Sequence, residues 1–148
     1  MSPAEQSRRS EGIAAALAVL VLLAAVSCGS DSVTGPPVSP ALIAPARGQI
    51  LDNGCPGCSD PIQWQFEWRE VPDASEYHLV VIAASATVPL IDQRGIPYGT
   101  YSFESQGTAK VETWTWKVQA KANGVWGAWG EVRAFGVEAA CQDCSSTP

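Results

Sequence analysis

Five cysteines are the residues whose type and spacing point to chemistry. Cys28 stands alone. The other four form two matched pairs, Cys55-Pro56-Gly57-Cys58 and Cys141-Gln142-Asp143-Cys144. Outside the cytoplasm such thiols pair as disulfides by default, and four thiols allow three pairings. A bond such as Cys55–Cys141 closes a loop of about 87 residues, worth roughly 4.5 kcal/mol of lost chain entropy in the unfolded state. A bond within one pair closes only four residues, is worth roughly 2 kcal/mol, and is usually strained. Two C-x-x-C knuckles are also the usual ligand set of a Cys₄ zinc site. Structural zinc on Cys55, Cys58, Cys141 and Cys144 is therefore the alternative, and no other cofactor is suggested. A redox-active dithiol fits poorly, because Asp52, Asp60 and Asp143 put negative charge beside sulfurs that would need cations to ionise.

Other reactive groups are sparse. His78 is the sole histidine. It falls on an expected strand, facing away from Tyr77 and Leu79, with no motif partner. No nucleophile elbow, phosphate loop or histidine-rich metal motif occurs, so the chain reads as non-catalytic. Six tryptophans are a high count for this length. Trp64, Trp68, Trp114 and Trp116 occupy inward strand positions and read as core. Trp126 and Trp129 lie in a glycine-rich stretch. Trp126 is the expected exposed aromatic, and beside Tyr98 or Tyr101 it would stack on a sugar or a partner's side chain.

The N-terminus determines where this chemistry takes place. Ile13 to Val26 is a fourteen-residue apolar run without a charge, preceded by Arg8 and Arg9. Spanning a bilayer takes roughly 20 such residues, whereas a signal-peptide core is this short. Ala25-Val26-Ser27-Cys28 resembles the bacterial lipobox, in which the cysteine becomes the first mature residue and carries lipid; the usual leading Leu is Ala25 here. The resemblance implies export, diacylglycerol on Cys28 with an added N-acyl chain, and a membrane as the first partner. Two or more chains hold a protein where one binds only marginally. Gly29 follows the cysteine, where Asp tends to retain such proteins at an inner membrane. In a double-membraned bacterium the outer membrane is thus favoured. An ordinary cleaved signal and a single-pass anchor are the competing readings. Loss of residues 1–27 removes Arg8, Arg9, Glu5 and Glu11 together, so the net charge stays at −6. Such a surface repels nucleic-acid phosphates.

The elements that must position these residues follow. Residues 1–27 read as the signal and 28–41 as a lipidated N-terminus and Pro/Ser/Gly linker, about 20 Å long as a coil. From Leu42 the pattern turns to β. Ile62 to Trp68 alternates strictly, apolar then polar. Val71 to Ser75 reads as a turn, Tyr77–Ala83 as a strand, and Trp114–Lys121 as a second alternating strand. Asn123-Gly124 is a tight-turn signal, and Val132–Val137 is the last strand. Weaker strands fit Leu42–Ala46, Val88–Asp92 and Tyr101–Ser105. Short alternating strands without helices argue for an all-β sandwich.

Phe66-Glu67-Trp68 with Val71-Pro72-Asp73-Ala74-Ser75-Glu76-Tyr77 resembles the second strand, turn and third strand of a fibronectin type III or related immunoglobulin-like domain. Trp114-Thr115-Trp116-Lys117-Val118-Gln119-Ala120 resembles its sixth strand, Gly124 to Gly130 the next loop, and Phe135-Gly136-Val137 its last strand. The resemblance covers residues 42–138 and implies a seven-stranded antiparallel β-sandwich, with 139–148 a cysteine-bearing tail. The Cys-Pro-Gly-Cys loop departs from the family, and no Arg-Gly-Asp triplet is present. On this topology the loop after the first strand and the end of the seventh share one pole, which would bring the two cysteine pairs together. The same resemblance implies that Trp129 packs back on its sheet.

The combined expectation is an exported, lipid-anchored sandwich that binds an envelope protein or polysaccharide. A structural spacer, a glycan-binding module and a zinc-stabilised module are the alternatives.

Overall fold

The computed structural model describes residues 36–55 and 59–141, all within the unit Thr34–Pro148. The expectations for the signal segment, for Cys28, and for Cys58 and Cys144 lie outside the described residues. Nine strands form: β1 (Leu42–Ala44), β2 (Ile50–Leu51), β3 (Ile62–Trp68), β4 (Ala74–Ala83), β5 (Ile91–Ile96), β6 (Thr100–Ser105), β7 (Thr113–Ala122), β8 (Val125–Trp126) and β9 (Arg133–Val137). They make two sheets, one in the order β1-β3-β6 and one in the order β2-β9-β7-β4-β5, with β8 added to β7. All seven expected strands are present within this sandwich, and the sequence did not signal β2 or β8, which are two residues long.

Alternation is what builds the core. Ile62, Trp64, Phe66 and Trp68 turn inward from β3, while Gln63, Gln65 and Glu67 face solvent. Tyr77, Leu79 and Val81 of β4 and Trp114, Trp116, Val118 and Ala120 of β7 meet them from the other sheet. The aromatic rings pack mostly edge to face: Trp64 lies 5.5 Å from both Trp114 and Phe135, and Phe66 lies 5.3 Å from Trp116. Such pairs add about 0.5–1.5 kcal/mol each beyond their buried area.

Three local features differ from a plain seven-strand reading. Asn123 and Gly124 both take positive φ, 52° and 78°, so a two-residue turn folds β8 back on β7 as the Asn-Gly signal required. The weak strand expected over Val88–Asp92 begins only at Ile91. Pro89 has no N–H for a ladder and leaves Val88 and Leu90 exposed before the strand starts. Finally, β2 runs parallel to β9, pairing Ile50 with Gly136 and Leu51 with Val137. The sandwich is therefore not wholly antiparallel.

The folded part also starts earlier than Leu42. Pro40 is buried, and the Ser39 hydroxyl donates to the carbonyls of Ala128 and Trp129. A side chain at Gly127 would sit 2.4 Å from the Pro37 carbonyl, so glycine there is a requirement of close approach. Arg133 then ties the sheets together: from β9 its guanidinium donates to the carbonyls of Leu42 and Ile43 in the opposite sheet. Glu131 holds that guanidinium in place, and the hydrogen bond from Arg133 lowers the Glu131 carboxyl below its usual range.

Two predictions follow from this packing. Leu79→Ala, fully buried, should cost about 2–5 kcal/mol in urea unfolding, whereas Val80→Ala on the outer face should cost about 1 kcal/mol. Because folding lowers the Glu131 pKa, its stabilising contribution is complete above the unfolded-state value and disappears as pH falls through the folded one. Urea midpoints of wild type and Glu131→Gln should thus differ at pH 7 and converge in acid.

Candidate functional site

The chain enters the sandwich at one pole and gathers its cysteine segments at the other. β1 begins beside the end of β3, where Leu42 pairs with Trp68. The far pole collects the start of β3, the end of β4, the end of β6 and the start of β7, as the pairs Ile62–Ser105 and Ala83–Trp114 require. The parallel β2–β9 pair delivers two more segments there. Beyond it, the Glu138 amide donates to the Leu51 carbonyl at 3.0 Å and the Cys141 amide to the Gly54 carbonyl at 3.3 Å.

Cys55 and Cys141 are joined by a disulfide, with Cα atoms 4.9 Å apart. The two cysteine-bearing segments thus meet, as the strand directions implied. Among the described residues no group of three or more His, Cys, Asp or Glu is placed to hold a metal. The four-cysteine zinc alternative involves Cys58 and Cys144, outside those residues.

Next to this cross-link lies Asn53, 1 % exposed. Its amide nitrogen donates to the carbonyls of Ala109 at 2.9 Å and Glu138 at 3.0 Å, and its oxygen accepts from the Ala109 amide at 2.6 Å. One side chain thereby fastens the β6–β7 loop to the pole. Trp64 Nε1 donates to the Asp52 carbonyl at 2.7 Å, and Trp114 Nε1 to the Lys110 carbonyl at 2.9 Å. Trp114 and Asn53 thus pin the β6–β7 loop, while Trp64 holds the β2–β3 connection that carries Asn53.

Against that loop opens a hollow of about 300 Å³. Ile62, Ala83, Phe103 and Trp114 form its floor, and Val88 and Leu90 from the β4–β5 connection its lip. Lys110 stands at the edge. Its ammonium donates to Ser85 Oγ at 3.1 Å, and Ser85 Oγ donates to Glu112 Oε1 at 2.7 Å. The Ser85 amide donates to the other Glu112 oxygen at 3.0 Å. These bonds tie the two loops bordering the hollow to each other.

On the outer face of the larger sheet, His78 is 4 % exposed. It does face away from Tyr77 and Leu79, but the glycine-rich stretch covers it. Its ring lies 4.9 Å from Trp129 and 5.9 Å from Trp126. Nε2 is 2.5 Å from Asp92 Oδ1 and Nδ1 is 3.1 Å from Gln119 Nε2. Both nitrogens are engaged and the ring is walled off, so His78 serves packing. Gln119 and Asp92 are partners the sequence did not signal: Gln119 sits opposite His78 on β7, and Asp92 reaches it diagonally from beside Val80 on β5.

The aromatic surface expected from Trp126, Tyr98 and Tyr101 does not assemble. Trp126 is half-buried on His78, with the Lys121 ammonium 5.5 Å above its ring. Tyr101 turns inward and packs against the core. Tyr98, 67 % exposed, stands in the β5–β6 turn. Trp129 does fold back on its sheet, under Lys117 at 4.4 Å. The β pattern of the sequence extends over Val88 and so conceals the hollow's lip, which is loop up to Ile91. Pro89 beside Val88 was the available signal that this segment is loop.

No family model matches the chain, and no curated protein does. Among solved structures it is similar to a Fn3-like protein from Clostridium thermocellum, at TM-score 0.47 and 17 % identity, over 71 % of this chain and 97 % of that one. From its own strand order the chain is a two-sheet, Fn3-like β-sandwich.

Asn53→Ala would leave three backbone groups of the far pole without their partner. It should lower stability by about 3 kcal/mol in urea unfolding. A change under about 0.5 kcal/mol would mean that the asparagine does not hold the loop.

Proposed function

We propose that this protein is an exported, lipid-anchored, non-catalytic recognition module that meets an envelope protein or polysaccharide with its far pole. Cys28 carries the lipid in this reading, and the linker places the sandwich beyond the bilayer surface, at the outer membrane where the cell has two membranes. The observation that carries it is the polarity of the sandwich: the N-terminal segment enters at one end, and the braced apolar hollow opens at the other. A tether at the first end turns the second toward whatever lies outside. Recognition is favoured over catalysis by the placement of the ionisable groups. His78 is walled in, and Ser85 and Glu112 are spent on joining two loops.

The test uses the full chain in cells fed an alkyne-labelled fatty acid, with a photoreactive side chain at Val88 on the hollow's lip or at Gln63 on the outer face of β3. Labelling should vanish in Cys28→Ser. An envelope component should crosslink at Val88 and not at Gln63. Acyl labelling without any crosslink at Val88 is the result of a spacer and would sink the recognition reading.

A further inference from the structure

Resting on the reading of the far pole as the working face, whose rim meets the envelope protein or polysaccharide, we infer that the hollow within that rim binds the alkyl chain of a free fatty acid, with its carboxylate on Lys110. Nine of the twelve side chains around the hollow are apolar, and Ser105, Thr108 and Lys110 are the polar three. A volume of about 300 Å³ lies at the small end of ligand pockets. That suits one narrow chain better than a fused ring system or a paired-chain lipid.

The polar groups narrow the class further. A sugar needs several fixed hydrogen-bond partners and an open aromatic face. Here Trp114 is 5 % exposed, and the Ser105 hydroxyl already accepts from the Gly107 amide. A peptide strand would bring a main-chain amide at every residue to a largely apolar wall, and each unmatched amide would be costly. An alkyl chain asks nothing of such a wall. It would also cover Val88 and Leu90, which stand 73 % and 45 % exposed at the lip.

Charge selects the head group. The protein is acidic, with a net charge of −6. Lys110 is the one cation on the hollow, and it forms no ion pair with a carboxylate among the described residues. Its bond to Ser85 Oγ uses one of the three donors of an ammonium. Two remain for an anion at the mouth, and a bond from an ammonium to a carboxylate is stronger than one between neutral groups. A cationic amphiphile would meet repulsion there instead. Asn53, Trp114 Nε1 and the Ser85–Glu112 contact brace the wall that the chain would line.

The experiment is titration of the full chain carrying Cys28→Ser with dodecanoate, dodecanol and dodecyltrimethylammonium below their micellar concentrations. Binding is read from methyl NMR shifts of Ile62, Ala83 and Leu90. Dodecanoate should bind saturably and shift these methyls, with the alcohol about threefold weaker. The cation should be weaker still. Lys110→Gln should bring dodecanoate to the level of the alcohol, Lys110→Arg should restore it, and Ala86→Phe should close the hollow to all three. Equal binding of the three amphiphiles, or shifts confined to residues away from the hollow, would overturn the inference. If dodecanoate fails while the Val88 crosslink persists, the far pole recognises something else and only the fatty-acid assignment is lost. If both fail, the recognition reading falls with it.

Discussion

The parallel pairing of β2 with β9 is the constraint on which the far pole depends. Without those two residues of ladder, the chain after β1 would have no reason to run beside the last strand. With them, Asp52 to Cys55 and Glu138 to Cys141 leave the sheet side by side. The disulfide joins the two segments, with the Cα atoms of Cys55 and Cys141 4.9 Å apart. Asn53 falls in the same turn of chain, and its three hydrogen bonds carry the constraint across to the β6–β7 loop. A two-residue strand, a cross-link and one amide thus hold the wall of the hollow.

The fold itself was legible because burial on one side of a sheet forces period-two alternation. β3 and β7 show it without interruption, and their inward residues were readable one by one. β2 and β8 were not legible, since two residues cannot display a period. The near-pole end of the linker was misjudged for a related reason. Pro37 to Pro40 look like spacer by composition, yet glycines at 127 and 130 leave room for them against the sheet. That is a tertiary fit between segments some 90 residues apart.

The site was less legible than the fold. The meeting of the cysteine segments followed from the topology that the family resemblance implied, although the β2–β9 ladder that aligns them was not legible. The outcome for the aromatics could not follow, because it depends on which face each loop covers. Trp126 looked free in a glycine-rich stretch, but the same glycines let that stretch lie flat on His78. The hollow is defined by what is missing between two loops. Its lip residues, Val88 and Leu90, carry no signature beyond the proline between them.

The Cys55–Cys141 cross-link and Asn53 together hold the far-pole loop in place. Amide hydrogen exchange at Ala109, whose N–H is bonded to Asn53 Oδ1, tests it most directly. In the oxidised protein this loop amide should exchange as slowly as that of Val118 in the core of β7. In Cys141→Ser it should lose that protection while Val118 keeps its own. Equal protection of Ala109 in both proteins would contradict the account.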